Sequence, residues 1–183
     1  MSHRQRLAII VFTSISYFLL YRFNMSLFGS LNFSHRVDWI FLPSGLRLAF
    51  VLLFLADGAI GIALASTLIT YLLYFDGNYV SMMLNGSMAG LAPYLARQVA
   101  IHYFQLDKNL KNLKVIGILK ISALFAAISA LVHQLWYFWN GKTDDFIASA
   151  LVMMVGDLLG TLIVLFALKI MVQSFSFLKK APD

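Results

Sequence analysis

The sequence predicts an all-α integral membrane protein, a compact bundle of about six transmembrane helices with both termini in the cytoplasm. The first observation is composition: 61% of the 183 residues are hydrophobic and 12% are charged, with a mean hydropathy of +0.81. Soluble domains are far less apolar. The second is length, since apolar runs of about 20 residues, enough to cross roughly 30 Å of hydrocarbon, recur along the chain. The third is that basic residues cluster beside these runs, a pattern that reflects topology rather than nucleic-acid binding.

The apolar runs divide one transmembrane domain, residues 1–183, into six predicted spans. The first is a retained helix and not a signal peptide, because the basic start MSHRQR is followed by an apolar run without a small-x-small cleavage site. The second and third are joined by a very tight return at ADGAIG, where a re-entrant hairpin is the alternative. The fourth is less apolar and should face protein on several sides. The predicted spans are residues 7–28, 39–55, 58–75, 80–104, 115–138 and 146–172.

Basic residues set the predicted orientation in the membrane. With six spans, seven of them fall on one face and three on the other. The positive-inside rule then puts the richer face, with both termini, in the cytoplasm. The expected location is the bacterial inner membrane. The two sets are Arg4, Arg6, Lys108, Lys111, Lys114, Lys179 and Lys180 on the inner face, and Arg22, Arg36 and Lys142 on the outer face.

Two charges of opposite sign are predicted near the middle of the membrane. At a helical rise of 1.5 Å per residue, Arg47 lies about 12 Å beyond Trp39, and Asp157 lies about 16 Å beyond Phe146. A lone charge at that depth costs from about 2.5 to more than 10 kcal/mol. We therefore expect Arg47 and Asp157 to form a buried salt bridge or to flank a polar pocket for a ligand or a conformational switch. A pair that only fixes helix register fits equally well.

A second pair is possible between Asp57 and Arg97. Both are predicted at about 26 to 27 Å from the outer surface, near the cytoplasmic boundary. The alternative is that each side chain reaches water without meeting the other.

Small residues and a proline predict where helices pack closely. Gly86 with Gly90, and Gly156 with Gly160, have the small-xxx-small spacing that lets two backbones approach in lipid. Pro43 removes a backbone donor one turn before Arg47, and Gly45 leaves room for a neighbouring helix.

Several site classes are not supported by the sequence. The chain has no cysteine, which excludes thiolate sites and disulfides. His102 and His133 lack the companions of a metal motif, so we expect hydrogen-bonded or interfacial histidines and no metal site. No nucleophile, base and orienting group occur together, so we expect no enzyme activity and no cofactor.

Four segments, in order, resemble signature segments of the MASE-type membrane-associated sensor domain of bacteria. They are LPSGLRLAFVLLF, GAIGIALAS, NGSMAGLAPYLAR and MVGDLLGTLIVL, and together they cover about residues 38–168. Members of that family are usually longer and fused to a kinase, cyclase or phosphodiesterase, whereas this chain stops at SFLKKAPD. Arg47 also stands where the family more often has an apolar residue.

The resemblance implies a non-enzymatic, sensor-like membrane subunit that signals through a partner protein and binds a small ligand, a partner or both within its bundle. Two other classes remain open. The substrate-binding subunit of an energy-coupling-factor vitamin transporter is similarly a compact six-helix chain, although the first helix here lacks the Ala-xxx-Ala docking face of such subunits. A structural accessory subunit of a larger membrane complex is the third. The expected partners are the lipid bilayer, a membrane or signalling output protein, and no nucleic acid.

Overall fold

Five helices account for most of the chain in a computed structural model that describes residues 1–107, 110 and 112–178, with side chains described up to residue 171. A 3-10 turn, Gly29–Leu31, and an antiparallel hairpin of β1 (Asn32–Ser34) and β2 (Val37–Asp38) separate the first two helices. The all-α expectation is therefore confirmed apart from this short hairpin. The helices are α1 (His3–Phe28), α2 (Pro43–Tyr74), α3 (Tyr79–Tyr103), α4 (Val115–Trp139) and α5 (Phe146–Leu178).

The backbone of α2 reverses direction at Leu55, where φ is 56° and ψ is −129°. Contacts with α1 establish the reversal. Along α2, the partners on α1 are first Asn24 (to the Leu42 amide) and Phe12 (to the Phe50 ring). After Leu55 they are Arg6 to Asp57, Ser14 to Gly61 and Tyr21 to Tyr74. The partner numbers on α1 fall and then rise again. The two arms of α2, residues 43–54 and 56–74, therefore lie beside α1 in opposite directions.

Three connections meet at the end of the bundle that carries the β hairpin, which we call the hairpin end. The Ser34 hydroxyl lies 3.1 Å from that of Ser149, so the β hairpin contacts the start of α5. Lys142, in the α4–α5 connection, lies 2.5 Å from Asp76, in the α2–α3 connection. The ion pair between Arg6 and Asp57 joins the start of α1 to the reversal in α2. Leu55 and the chain start therefore lie at the opposite end.

Four helical segments have the length and hydropathy of a membrane span, so the protein is membrane-embedded. Among the described residues they are His3–Leu31, Pro43–Tyr74, Val115–Trp139 and Phe146–Met171. The predicted count of six is not supported by this measure, and two differences explain the gap. Residues 39–55 and 58–75 both fall largely within α2, so they count as one candidate span although the backbone reverses between them at Leu55. Residues 80–104 do form a helix, α3, but its buried polar face lowers its hydropathy: Ser81, Asn85 and Arg97 are among its buried residues.

The predicted small residues lie where backbones approach closely. A Cβ atom at Gly160 would overlap the backbone carbonyl of Phe41, and Gly156 faces the carbonyl of Asp38. These two glycines therefore let α5 lie directly against the chain that enters α2. Gly45 faces Gly160 and Val164 of α5 in turn, while Gly86 and Gly90 face the second arm of α2. Pro43 occupies the first turn of α2, where its missing amide has no helical partner to lose.

Candidate functional site

The guanidinium of Arg47 lies in the centre of the bundle, held by α3 and α4. Its side chain is 2% exposed. Nε donates a hydrogen bond of 3.0 Å to the Ala89 carbonyl, and Nη1 donates one of 3.1 Å to the Ser129 hydroxyl. The carbonyl of Ala89 is available because Pro93, four residues later in α3, has no amide to donate to it. The proline in α3 thus creates an acceptor that orients the arginine of α2.

Asp157 of α5 faces Arg47 from the other side. Its side chain is 1% exposed, and its Oδ2 lies 3.9 Å from Arg47 Nη1. The backbone at this position is fixed by the Ser44 hydroxyl, which donates to the Asp157 carbonyl at 2.7 Å and accepts from Thr161 at 3.1 Å. The structure therefore brings together the two charges that the sequence predicted near the midplane, at the outer limit of an ion-pair distance.

Polar atoms of both residues have unused hydrogen-bonding capacity. Within the described part of the chain, Arg47 Nη2 has no hydrogen-bond partner, and the carboxylate of Asp157 has none within 3.5 Å, the Ser129 hydroxyl acting on it only as a longer, weak donor. A buried polar group without a partner costs about 1–3 kcal/mol, and more when it is charged. The site thus carries a donor and two acceptors that the protein leaves available to a water molecule or a ligand.

His133 completes the polar layer without the features of a metal ligand. Its Nδ1 lies 2.8 Å from the Ser129 carbonyl and must donate to it, which leaves Nε2 as an acceptor. Ser129 therefore links His133, through its carbonyl, to Arg47, through its hydroxyl. Within the described residues no group of three His, Cys, Asp or Glu side chains is close enough to hold a metal ion.

Arg47 and Asp157 both line a small polar cavity of about 40 Å³. A water molecule occupies roughly 30 Å³ of liquid, so the cavity holds a few non-hydrogen atoms at most. Two arginines and two aspartates line it, and their formal charges cancel. The lining residues are Tyr17, Tyr21, Arg36, Asp38, Phe41, Arg47, Ser66, Ala89, His133, Tyr137, Met153 and Asp157.

A larger pocket of about 360 Å³ adjoins this cavity at the hairpin end. We call it the outer pocket, and the smaller space the inner cavity. Arg36 and Asp38 line both spaces and separate them. Arg36 is held by a 3.0 Å hydrogen bond to Thr70 and by the ring of Tyr74, whose centroid is 4.6 Å from the guanidinium carbon. Asp38 accepts a 3.1 Å hydrogen bond from Asn32. The other lining residues are Asn24, Met25, Gly29, Asn32, His35 and Tyr74.

The β hairpin perturbs the titration of the groups that face the outer pocket. Burial raises the pKa of the Asp38 carboxyl, and the hydrogen bond from Asn32 opposes part of that effect. Burial, together with the charges of Arg36 and Lys142, lowers the pKa of His35 to about 4. His35 is therefore neutral near pH 7, and its ring packs edge-on against Tyr74 and Tyr137.

The predicted pairing of Asp57 with Arg97 is wrong about the partner of Asp57. Arg6 binds the carboxylate instead, with Nη2 2.8 Å and Nε 3.1 Å from Oδ1. Depth along straight helices gave Asp57 and Arg97 equal levels, but it contains no information about rotation around each helix. Asp57 follows the reversal at Leu55 and faces α1, so the basic residue within reach is on α1.

Sequence reasoning missed the polar residues that the β hairpin and α1 contribute to the cavities. Tyr17 and Tyr21, 3% and 6% exposed, are four residues apart and thus on one face of α1. Their spacing of four residues could have predicted that both side chains face the bundle interior. The positions of His35, Arg36 and Asp38 depend on the fold of the hairpin, and no periodic pattern of apolar residues in the sequence predicts that hairpin.

Comparisons of the chain with protein family models, with curated protein sequences and with solved structures found no significant match. The chemistry of the site is therefore the basis for assigning a function.

Proposed function

We propose that this protein is a non-enzymatic, sensor-like subunit of the bacterial inner membrane that binds a small ligand within its helix bundle and passes the resulting change to a partner membrane protein. One observation carries the proposal. Arg47 and Asp157, which have buried polar atoms without hydrogen-bond partners among the described residues, both line a polar cavity next to a 360 Å³ pocket.

A binding role accounts for this arrangement better than a purely structural one. An ion pair that only fixed helix register would gain from closing to hydrogen-bond distance, because the lost hydration of both charges is then better compensated. Here the closest approach is 3.9 Å, and a polar space remains beside the charges. Ligand pockets commonly occupy about 300–1,000 Å³, a range that includes the outer pocket.

The proposal includes six membrane crossings with both termini in the cytoplasm. The reversal at Leu55 supports it, because the chain returns to the hairpin end after that residue. The first arm, residues 43–54, covers only about 18 Å as a helix, so the non-helical residues 39–42 would have to complete its crossing. The α1–α2, α2–α3 and α4–α5 connections meet at the hairpin end, as six crossings require. The inward orientation is the one that the positive-inside rule predicts from the sequence, and Arg6, bound to Asp57, lies at the end opposite the β hairpin. The outer pocket would then open to the outside of the cell.

Topology is testable with single cysteines because the natural chain contains none. Leu55→Cys and Asp144→Cys place one thiol at each end, both on exposed side chains. A membrane-impermeant maleimide added to intact cells should label residue 144 and spare residue 55 until the membrane is opened. Labelling of residue 55 from outside, or of both residues, would contradict the proposed orientation.

Partner binding is supported by the packing of α1 and by the motifs that resemble MASE-type domains. The most apolar window of α1 is 22% buried, against 56% for α2, so α1 leaves most of its surface to lipid or to another protein. The resembling segments around Pro43 and around Gly156 to Gly160 pack against each other. These segments contribute Phe41 and Asp157 to the lining of the cavity. A ligand there would alter the contact between α2 and α5.

The substrate-binding subunit of a vitamin transporter is the second candidate. The outer pocket favours it, since a pocket open to the outside is what substrate capture requires. A transporter subunit and a sensor differ in the partner they need: an ATPase module for the first, and a kinase, cyclase or phosphodiesterase for the second.

Affinity purification of the tagged chain in mild detergent, with mass spectrometry of co-purifying proteins and small molecules, tests the function. We expect a signalling protein and a small molecule, and loss of the small molecule from Asp157→Asn. The matched control is Asp144→Asn, which changes an exposed aspartate outside both cavities and should retain it. Co-purification of an ATPase module would favour the transporter. The same small-molecule content in wild type and Asp157→Asn would contradict ligand binding at this site.

A further inference from the structure

The unused atoms of the central site define what a ligand must offer. Arg47 Nη2 is a donor, so it requires an acceptor, and Asp157 has two acceptor oxygens, so it requires a donor. Arg47 and Asp157 both line the same cavity of about 40 Å³. A ligand must therefore carry an acceptor and a donor close together at one end.

Charge balance narrows the class of molecule. Arg36 and Arg47 are matched by Asp38 and Asp157 around the cavity. A ligand with a net charge would leave one charge uncompensated in a buried setting, which is strongly unfavourable. A zwitterion adds no net charge while offering a charged partner to each unused group, and charge-assisted hydrogen bonds are the stronger kind.

We infer that the cavity and the outer pocket together form one binding site for a small zwitterion of the α-amino acid class, which rests on the ligand-binding function proposed above. The carboxylate accepts from Arg47 Nη2, and the ammonium donates to Asp157. The remainder of the ligand extends past Arg36 and Asp38 into the outer pocket, whose 360 Å³ accommodate a side chain.

Size supports this division between the two spaces. The inner cavity of about 40 Å³ is smaller than the five non-hydrogen atoms of an ammonium and a carboxylate on one carbon, so Arg47 and Asp157 must move apart to admit them, and the rest of the ligand lies in the outer pocket. The tyrosines around the cavity, Tyr17, Tyr21 and Tyr137, are all buried. They form the wall beside the ligand and separate its charges from lipid.

The test is a binding titration of the full-length protein in detergent with defined probes. L-alanine is compared with isobutyrate, in which a methyl group replaces the ammonium, and with isopropylammonium, in which a methyl group replaces the carboxylate. L-serine, L-glutamine and L-phenylalanine explore the outer pocket. We expect at least one amino acid to bind roughly tenfold or more tightly than the singly charged analogues, the value of one charge-assisted hydrogen bond.

Substitutions at Asp157 and Asp38 test whether these residues contact the bound amino acid. Asp157→Asn should weaken amino-acid binding by about ten- to a hundredfold, as loss of one charged partner predicts. Asp144→Asn is the matched control and should bind as wild type does. If Asp157→Asn fails to fold, Asp38→Asn provides the second measurement, because Asp38 lies between the two spaces, and it should weaken the longer amino acids most.

Each outcome decides the inference. Equal binding of isobutyrate or isopropylammonium would overturn the zwitterion while leaving a ligand site. Binding of a co-purified molecule of another charge class, with no binding of amino acids at millimolar concentration, would do the same. Absence of any ligand from wild type, with ordered water alone in the cavity, would overturn both this inference and the proposed function.

Discussion

Arg47 and Asp157 should be energetically coupled, and the structure sets the size of the coupling. At 3.9 Å, two unit charges attract by about 4 kcal/mol for an effective dielectric constant near 20. The lost hydration of both groups offsets part of this attraction. Coupling between contacting residues is typically about 0.5–3 kcal/mol, and we expect about 2 kcal/mol here.

The single substitutions should differ in severity. Arg47→Met removes the hydrogen bonds to Ala89 and Ser129 and leaves the charge of Asp157 buried without a cation. Removing one partner of a buried pair costs about 3–5 kcal/mol. Asp157→Asn keeps the shape of the side chain and leaves Arg47 with both hydrogen bonds, so it should cost less. The double variant should lose about 2 kcal/mol less than the sum of the single losses.

The free energy of unfolding is measured by titration with a denaturing detergent in mixed micelles for wild type, both single variants and the double variant. Losses that add within about 0.5 kcal/mol would show that the two charges do not interact, and would refute the reasoning from their geometry. Exchanging the two residues should restore little stability, because an arginine on α5 cannot remake the bonds to Ala89 and Ser129.

Three further predictions concern the frame around the site. Leu55→Gly should raise the free energy of unfolding by about 1 kcal/mol, because a side chain at a φ of 56° is strained; no gain in the same titration would contradict the reversal. Gly160→Ala should cost about 1–3 kcal/mol by overlap with the Phe41 carbonyl, whereas Gly29→Ala, which meets open space, should cost little; equal losses would contradict close packing of α5. His35 has a folded-state pKa of about 4 against about 6.5 unfolded, so wild type should lose stability as pH falls from about 6.5 to 4 while His35→Phe loses less; parallel pH profiles of the melting temperature would contradict a buried neutral histidine.

Hydropathy alone predicted the positions of α1, α4 and α5 to within a few residues. The predicted spans 7–28, 115–138 and 146–172 correspond to α1, α4 and α5, because a run long enough to cross lipid has few ways to satisfy its backbone except as a helix. The ends differ by a few residues, since polar side chains such as Ser2 cap and extend a helix beyond its apolar part.

The reversal in α2 shows what such patterns do not contain. ADGAIG predicted a tight return between residues 55 and 58, yet the residue that turns the chain is a leucine. Tertiary contacts with α1 on both arms impose this conformation, and local propensity does not. A hydropathy measure consequently registers α2 as one span of 32 residues.

The depth of a residue in the membrane predicted the partner correctly for one charged residue pair and not for the other. Arg47 and Asp157 are both far from water, so burial alone forces each to find a polar partner, and similar depth was enough to suggest the other. Asp57 lies near the end of the bundle, where the sequence offered Arg97 as one basic partner among several at similar depth. The direction in which Asp57 points around the axis of α2 places it beside Arg6. The sequence does not show that direction.

An experimental structure of the full chain, purified from its native membrane without added ligand, tests the central claim most directly. We expect density too large for water in the inner cavity, in contact with Arg47 Nη2 and a carboxylate oxygen of Asp157 and continuous past Arg36 into the outer pocket. A cavity that holds only separate water molecules, or a direct hydrogen bond between Arg47 and Asp157 that closes it, would contradict the claim that the bundle binds a small molecule.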